Sequence, residues 1–228
     1  MNQGMIKPWM IDELAFAGPE HLDADFVAGY DRKQGMPDPS EDIAELQRYH
    51  VRTVVDMGAG TGRFALAAAQ VFESVTAVDV SPAMLARIEE NAPPSLTTAN
   101  AGFLTYQGEP VDAVYTRNAL HQLPDFFKVL ALQRIHDLLK PKGVLRLRDL
   151  IYDFPPSEVD AKFEEWFDKA SADPEKGYTA EDYATHIRTE FSTFRFLLEK
   201  MLDATGFDIL SVAYERGLYG AYTCVRRQ

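Results

Sequence analysis

The stretch VVDMGAGTGRF, residues 54–64, constrains this chain more than any other. A short apolar run ends in an acid, and glycines follow at positions 58, 60 and 62. Glycine adopts positive φ at little steric cost and lets backbone approach a ligand closely, while the start of the next helix favours negative charge. The stretch therefore reads as a strand feeding a tight turn that opens a helix, where a nucleotide-like ligand can sit. A phosphate-cradling P-loop needs Lys followed by Ser or Thr after its last glycine. Arg63-Phe64 stands there instead, which removes that class. The dinucleotide fingerprint is G-x-G-x-x-G, whereas Gly58, Gly60 and Gly62 are spaced one residue tighter.

The pattern around this turn sets the fold. From Val51 to Tyr152, β-rich runs at 53–57, 74–80, 95–101, 111–116 and 143–152 alternate with helical stretches. Such alternation predicts crossover units and a parallel, doubly wound α/β sheet. Ser81 is placed to cap the second of these helices, with Pro82 at its first position. Residues 1–50 read as an N-terminal helical cap, with one segment near 23–33 and a second helix capped by Ser40 and reaching about His50. Residues 153–191 interrupt the alternation. Ser157 with Asp160, and Thr179 with Asp182, resemble capping boxes, and Phe163, Trp166, Phe167 and Ala170 share one helical face. A helical insertion is expected there within a domain spanning 51–228. The chain then predicts a helix stopped by Gly206 and two strands around a turn at 215–217, so the sheet ends in an antiparallel pair.

Composition excludes several classes. Among 228 residues, 35 acids against 23 bases give a net charge of −12, which repels phosphate backbones and argues against nucleic acid. The single cysteine, Cys224, permits no intrachain disulfide and no cysteine-rich metal site. The five histidines (21, 50, 121, 136 and 186) are scattered, and no pair has metal-binding helical spacing, so no metal is expected. The N-terminus lacks the features of a signal peptide and no apolar segment approaches a membrane span, which predicts a cytoplasmic protein without a membrane partner.

Asp79, 23 residues beyond Asp56 and at the end of the next β-rich run, can accept hydrogen bonds from both hydroxyls of a ribose. Taken in order, VVDMGAGTGRFA, AVDVSPAML, VDAVYTRNALHQLPD and LLKPKGVLRLRDL resemble the successive motifs of class I S-adenosylmethionine-dependent methyltransferases of the small-molecule "type 11" kind. The resemblance is strong over residues 50–152 and looser beyond. It implies a Rossmann-like sheet of seven strands with the last antiparallel, S-adenosyl-L-methionine as methyl donor, S-adenosyl-L-homocysteine as product, and a small-molecule acceptor that is partly apolar or aromatic.

The same resemblance assigns site residues. Gly58, Ala59 and Gly60 match the turn whose backbone lies against the donor's methionine portion, and Asp56 matches the acid facing its amino group. Asp79 matches the ribose-binding acid, and Val80 the residue lying on the adenine. Arg117 and Asn118 match positions lining the donor. His121 stands where the family often has a histidine near donor and acceptor, and Tyr30 matches a residue that covers the donor; these two are the catalytic candidates. One departure stands out. The family often carries Gly-Asp after the third strand, its acid reaching the adenine amino group, whereas Gly102 occupies that acid's place. Backbone groups around Gly102 and Phe103 are then expected to hold the adenine. Aromatics of the 153–191 insertion (Tyr152 at its edge, Phe154, Phe163, Trp166, Tyr178, Tyr183, Phe191) and His186 either form an acceptor lid or pack the insertion onto the sheet. Two other readings remain: a donor-binding protein without turnover, and a nicotinamide-dependent oxidoreductase, which the glycine spacing and the end of the sheet disfavour.

Overall fold

Apolar and β-branched residues crowd the runs that become β1 (Thr53–Met57), β2 (Ser74–Asp79), β3 (Leu96–Asn100), β4 (Val111–Arg117) and β5 (Leu139–Tyr152). In the computed structural model, which describes residues 7–17, 37–174 and 176–228, these five strands are parallel and lie in the order β3-β2-β1-β4-β5. A two-residue strand, β6 (Thr193–Phe194), pairs with the end of β5. The chain closes with β7 (Phe207–Glu215) and β8 (Tyr219–Arg226), and β8 inserts antiparallel between β5 and β7. The main path thus has the seven strands expected, ending in the antiparallel pair, with β6 as a small eighth. Strand order reverses beside β1, where β2 lies on one side and β4 on the other, and a crevice opens at the carboxyl ends of the strands.

Alternation along the strands feeds two apolar layers. Val55, Met57 and Val114 face one core with α5 (Asp125–Leu138) and α8 (Arg195–Ala204). Val54, Val75 and Ala113 face the other with α2 (Ser40–Gln47), α3 (Arg63–Ala68) and α4 (Pro82–Glu89). Period-two side-chain alternation under helices on both faces is the packing that a doubly wound sheet requires. A third apolar cluster joins Tyr152, Phe154, Trp166 and Leu218, packing α6 (Val159–Phe167) and α7 (Ala180–Thr189) against the end of β5 and the β7–β8 turn. Phe163, Trp166 and Phe167 serve this packing. The short α1 (Glu13–Phe16) is capped by the Asp12 side chain. The helix expected near 23–33 lies outside the described residues.

Local signals hold at some helix starts and fail at others. Ser81 accepts the Met84 N–H with Pro82 at the first position, and Thr179 with Asp182 forms a full capping box. Ser40, however, is the first residue of α2 rather than its cap; the Asp38 carboxylate one step outside takes the Ser40 N–H at 2.9 Å. Ser157 lies in a 3₁₀ turn, and α6 starts after Glu158 without a side-chain cap, because Pro155 and Pro156 shape that entry. β5 begins at Leu139, earlier than the run at 143–152, with Lys142 in a left-handed conformation. None of the described helices is long and apolar enough to cross a membrane.

Candidate active site

The glycine turn is pinned to its neighbour strand. The Gly58 and Ala59 N–H groups both donate to the Val78 carbonyl, at 2.9 and 3.0 Å. Asp79 braces the turn from the end of β2: its Oδ2 accepts the Gly60 N–H at 2.8 Å and its Oδ1 the Ser81 N–H at 2.9 Å. Gly58 has φ +75°, and a Cβ built on it would fall well inside 3.0 Å of the Ala119 Cβ. The turn and the segment after β4 therefore approach so closely that only glycine fits.

Between them runs a groove made of two adjoining cavities of about 80 and 90 Å³ that share Gly58, Gly60, Arg117 and Asn118. One cavity extends to Asp56 and Ala59, the other to Asp79, Val80, Gly102 and Phe103. The structure thus gathers all ten donor-binding candidates, from the ends of β1 to β4, around one groove. Tyr30 lies outside the described residues.

Asp56 lies beneath the turn with 2% of its surface exposed, and its Oδ2 has no hydrogen-bond partner among the described residues. Burial, with the charge of Asp79 adding to it, pushes its carboxyl up to about 8. The groove also holds a second buried acid, one that no sequence motif marks. Glu13 of α1 lines the cavity beside Gly102 and Phe103, and is 8% exposed. Its Oε2 accepts the Leu104 N–H at 3.0 Å, while Oε1 finds no partner among the described residues. Burial raises its pKa against the opposing pull of the Leu104 and Phe103 N–H groups. No spacing in the sequence links Glu13 to Gly102; tertiary packing alone brings α1 there.

His121 follows another course. It lines neither cavity of the groove, although its neighbours Ala119, Gln122 and Leu123 do. Its Nδ1 pairs with Asp149 Oδ1, and its Nε2 lies 2.8 Å from Glu190 Oε2. His186 Nδ1 reaches the same oxygen at 2.6 Å, and its Nε2 bonds Ser192 Oγ at 2.7 Å. Those separations are hydrogen-bond distances; ligands at tetrahedral positions around a zinc-sized cation stand roughly 3.3 Å apart. Burial disfavours charge on His121, but Asp149 and Glu190 outweigh it and raise its pKa to about 10. Glu190 is held at about 2, its burial overcome by hydrogen bonds from His121 and His186. The network ties the end of α7 to the segment after β4, two parts of the chain too distant in sequence for any spacing rule to join.

A larger cavity of about 580 Å³ meets the groove at Arg117 and Asn118. Tyr178 and Tyr183 of the insertion line it, with Tyr214 and Tyr219 of the C-terminal hairpin and Arg148 of β5. Behind it, the fully buried Asp42 of α2 accepts from Arg146 Nε at 2.8 Å, Arg148 Nη1 at 3.1 Å and Tyr115 Oη at 3.1 Å, locking α2 onto β4 and β5. Asn118 has φ +49°, a conformation that asparagine tolerates better than most side chains, and its N–H donates to the Arg148 carbonyl at 2.9 Å.

Fold and groove together resemble those of class I, S-adenosylmethionine-dependent methyltransferase domains. Residues 54–143 match the family model described as a methyltransferase domain. The chain is 24% identical over 159 residues to an uncharacterized methyltransferase of Oceanobacillus iheyensis, covering 68% of this chain and 73% of that protein. It is 32% identical over 107 residues to a malonyl-[acyl-carrier protein] O-methyltransferase of Halorhodospira halophila, covering 44% of this chain and 36% of that protein. Among solved structures, magnesium protoporphyrin IX methyltransferase of Synechocystis PCC 6803 with bound S-adenosylmethionine superposes at TM-score 0.65 and 14% identity, covering 96% of this chain and all of that one. The [4+2]-cyclase SpnF shares the fold at TM-score 0.61 and 15% identity, covering 82% and 79%.

Proposed function

We propose that the groove holds S-adenosylmethionine and that the protein transfers its methyl group to a small molecule bound in the adjoining cavity. The observation that carries this reading is the orphaned Asp56 oxygen at one end of a groove braced by Asp79. A buried carboxylate oxygen without a donor is costly, and the ligand's α-ammonium would satisfy it. Asp79 has its carboxylate at the middle of the groove, where ribose hydroxyls can donate to it. Gly58 and Gly60 give the methionine portion close backbone approach, Ala59 continues that wall, and Val80 supplies an apolar face for the base.

Bound donor supplies a methyl already activated on a sulfonium, and displacement leaves S-adenosylhomocysteine. The chain's part is to align and to exclude water, bringing the attacking atom to roughly 3–3.5 Å of the methyl. Arg117 and Asn118 border both groove and cavity, so they form the wall across which the acceptor faces the donor. The 153–191 insertion acts as lid through Tyr178 and Tyr183, and four tyrosines in the cavity suit an acceptor with aromatic or apolar surface. His121 acts as a positioning residue, fixing Ala119, Gln122 and Leu123 through its buried network.

The presence of a cyclase on this fold favours keeping one second reading, a donor-binding protein whose cavity serves another purpose. Calorimetry with S-adenosylmethionine, S-adenosylhomocysteine and both nicotinamide cofactors, followed by an acceptor screen read by S-adenosylhomocysteine formation, separates the possibilities. Micromolar binding of a nicotinamide without binding of either sulfur compound would overturn the donor assignment. Tight donor binding with no product from any acceptor class would favour the second reading.

A further inference from the structure

The groove has a base end that the sequence leaves without its expected acid, and the structure fills that place from elsewhere. Gly102 opens the loop after β3. A Cβ there would fall well inside 3.0 Å of the Glu13 carboxylate carbon and both its oxygens. The volume that a side chain at 102 would occupy is therefore taken by Glu13, delivered from α1. Two contacts hold the carboxylate in that place, and a third braces one of them. Leu104 N–H binds Oε2 at 3.0 Å, Thr105 Oγ1 lies 3.4 Å from the same oxygen, and Thr105 Oγ1 in turn accepts the Gly102 N–H at 2.9 Å. α1 is itself anchored, with Met10 and Ile11 against the main core and the Phe16 ring 6.0 Å from that of Phe191. Oε1 is left buried, without a partner among the described residues, on the wall of the cavity that also contains Val80 and Phe103.

We infer that Glu13 reads the amino group of the donor's adenine. The inference rests on the donor reading above. With ribose at Asp79 and methionine toward Asp56, the base must lie toward Ala101–Phe103. Adenine carries hydrogen-bond donors on that end only at its exocyclic amino group. With Oε2 held by Leu104, the free Oε1 accepts from that group and has nothing to offer a carbonyl oxygen in its place. Glu13 thereby sets specificity for adenine over its deaminated form, hypoxanthine. Gly102 is the complementary half of the device, because its missing side chain makes room for the acid.

The test compares S-adenosylhomocysteine with S-inosylhomocysteine by calorimetry at pH 8. The wild-type protein should prefer the adenine compound by roughly 10- to 100-fold, the range expected when one charge-assisted hydrogen bond inside a site is removed. In Glu13→Gln the amide oxygen keeps the Leu104 N–H and the NH₂ takes the place of Oε1, so the preference should vanish or reverse toward the hypoxanthine carbonyl. In Glu13→Ala it should drop below about 3-fold, and adding Gly102→Asp should restore it by supplying a carboxylate from the loop side. Circular dichroism confirms folding of each variant, and a purely structural Glu13 would weaken both ligands together and leave their ratio alone. An unchanged ratio in both Glu13 variants overturns the inference while leaving the donor reading intact. Failure of the wild-type protein to bind S-adenosylhomocysteine overturns both.

Discussion

Asp56→Asn should move stability and donor affinity in opposite directions. The carboxyl of Asp56 is pushed up to about 8 in the folded protein, first by burial and then by Asp79, from an unfolded value near 3.8. A folded pKa above the unfolded one means that the folded state binds more protons between the two. Stability therefore falls as pH rises from about 4 to about 8, by up to roughly 1.4 kcal/mol per unit, and levels off above that range. Asparagine has the same shape and no charge to desolvate, so it removes this slope. At pH 8 the variant should melt at a higher temperature than wild type, and the two should converge toward pH 4. Donor binding should respond in the other sense. If the ammonium meets an ionised Asp56, wild-type affinity should rise nearly 10-fold per pH unit from about 6 toward about 8, with one proton released on binding. The variant should show no such slope and, at pH 8, bind about 10- to 150-fold more weakly, because a charge-assisted hydrogen bond of roughly 1.5–3 kcal/mol is gone. Calorimetry with S-adenosylhomocysteine in buffers of different ionisation enthalpy reads affinity and proton release, and thermal melting over the same pH range reads stability. Binding within twofold of wild type at pH 8, or a variant less stable than wild type there, would refute the reasoning.

Asp79→Ala should lower S-adenosylhomocysteine affinity by roughly 10²-fold or more, because the ribose hydroxyls then have no carboxylate to donate to, while circular dichroism stays native; an unchanged isotherm would place the ribose elsewhere. His121→Ala should leave donor affinity within about threefold but cost about 3 kcal/mol of stability, since Asp149 and Glu190 lose a shared buried partner. Because the folded His121 pKa is raised to about 10, that stabilisation is fully present below about 6.5 and lost as pH rises toward 10, so the gap between the two melting curves should close with increasing pH. Asn118→Ala should destabilise by about 1 kcal/mol through its left-handed φ, and acceptor turnover should fall more than donor affinity, measured by initial rates against calorimetry.

What is legible in the sequence follows from local chemistry. The groove's walls can be read because glycine spacing and strand-end acids are set within a few residues of one another, as at Gly58, Gly60 and Asp79. The antiparallel ending can be read because two strand-like runs flank a turn at Arg216 and Gly217, both with positive φ. Ser157 misleads because a capping pattern cannot show that Pro155 and Pro156 have already shaped the chain's entry. Glu13 and the His121–Glu190–His186 network are hidden for a different reason. The links from Glu13 to Leu104 and from His121 to Glu190 span dozens of residues, and no periodicity connects α1 to the loop after β3 or α7 to the segment after β4. Gly102 is visible as a departure, but its meaning depends on a side chain that arrives from outside the motif.

The groove's acids are poor for folding and well placed for capture. Asp56 and Glu13 each bury an oxygen without a partner among the described residues, a defect worth on the order of 1–3 kcal/mol apiece, and Asp79 worsens the first by like charge. Elsewhere buried charge is matched, as Asp42 is by Arg146 and Arg148. Two unmatched acids at the two ends of one groove therefore suit a ligand with a cationic group at one end and an amino group at the other. Under that arrangement, binding energy comes from the ends of the ligand, remote from the sulfonium, and serves to hold the reacting centre against the wall at Arg117 and Asn118. Both end groups are identical in S-adenosylmethionine and S-adenosylhomocysteine, so contacts with Asp56 and Glu13 cannot tell donor from product. Discrimination between the two must arise where the charge disappears, along the stretch of groove that opens into the larger cavity.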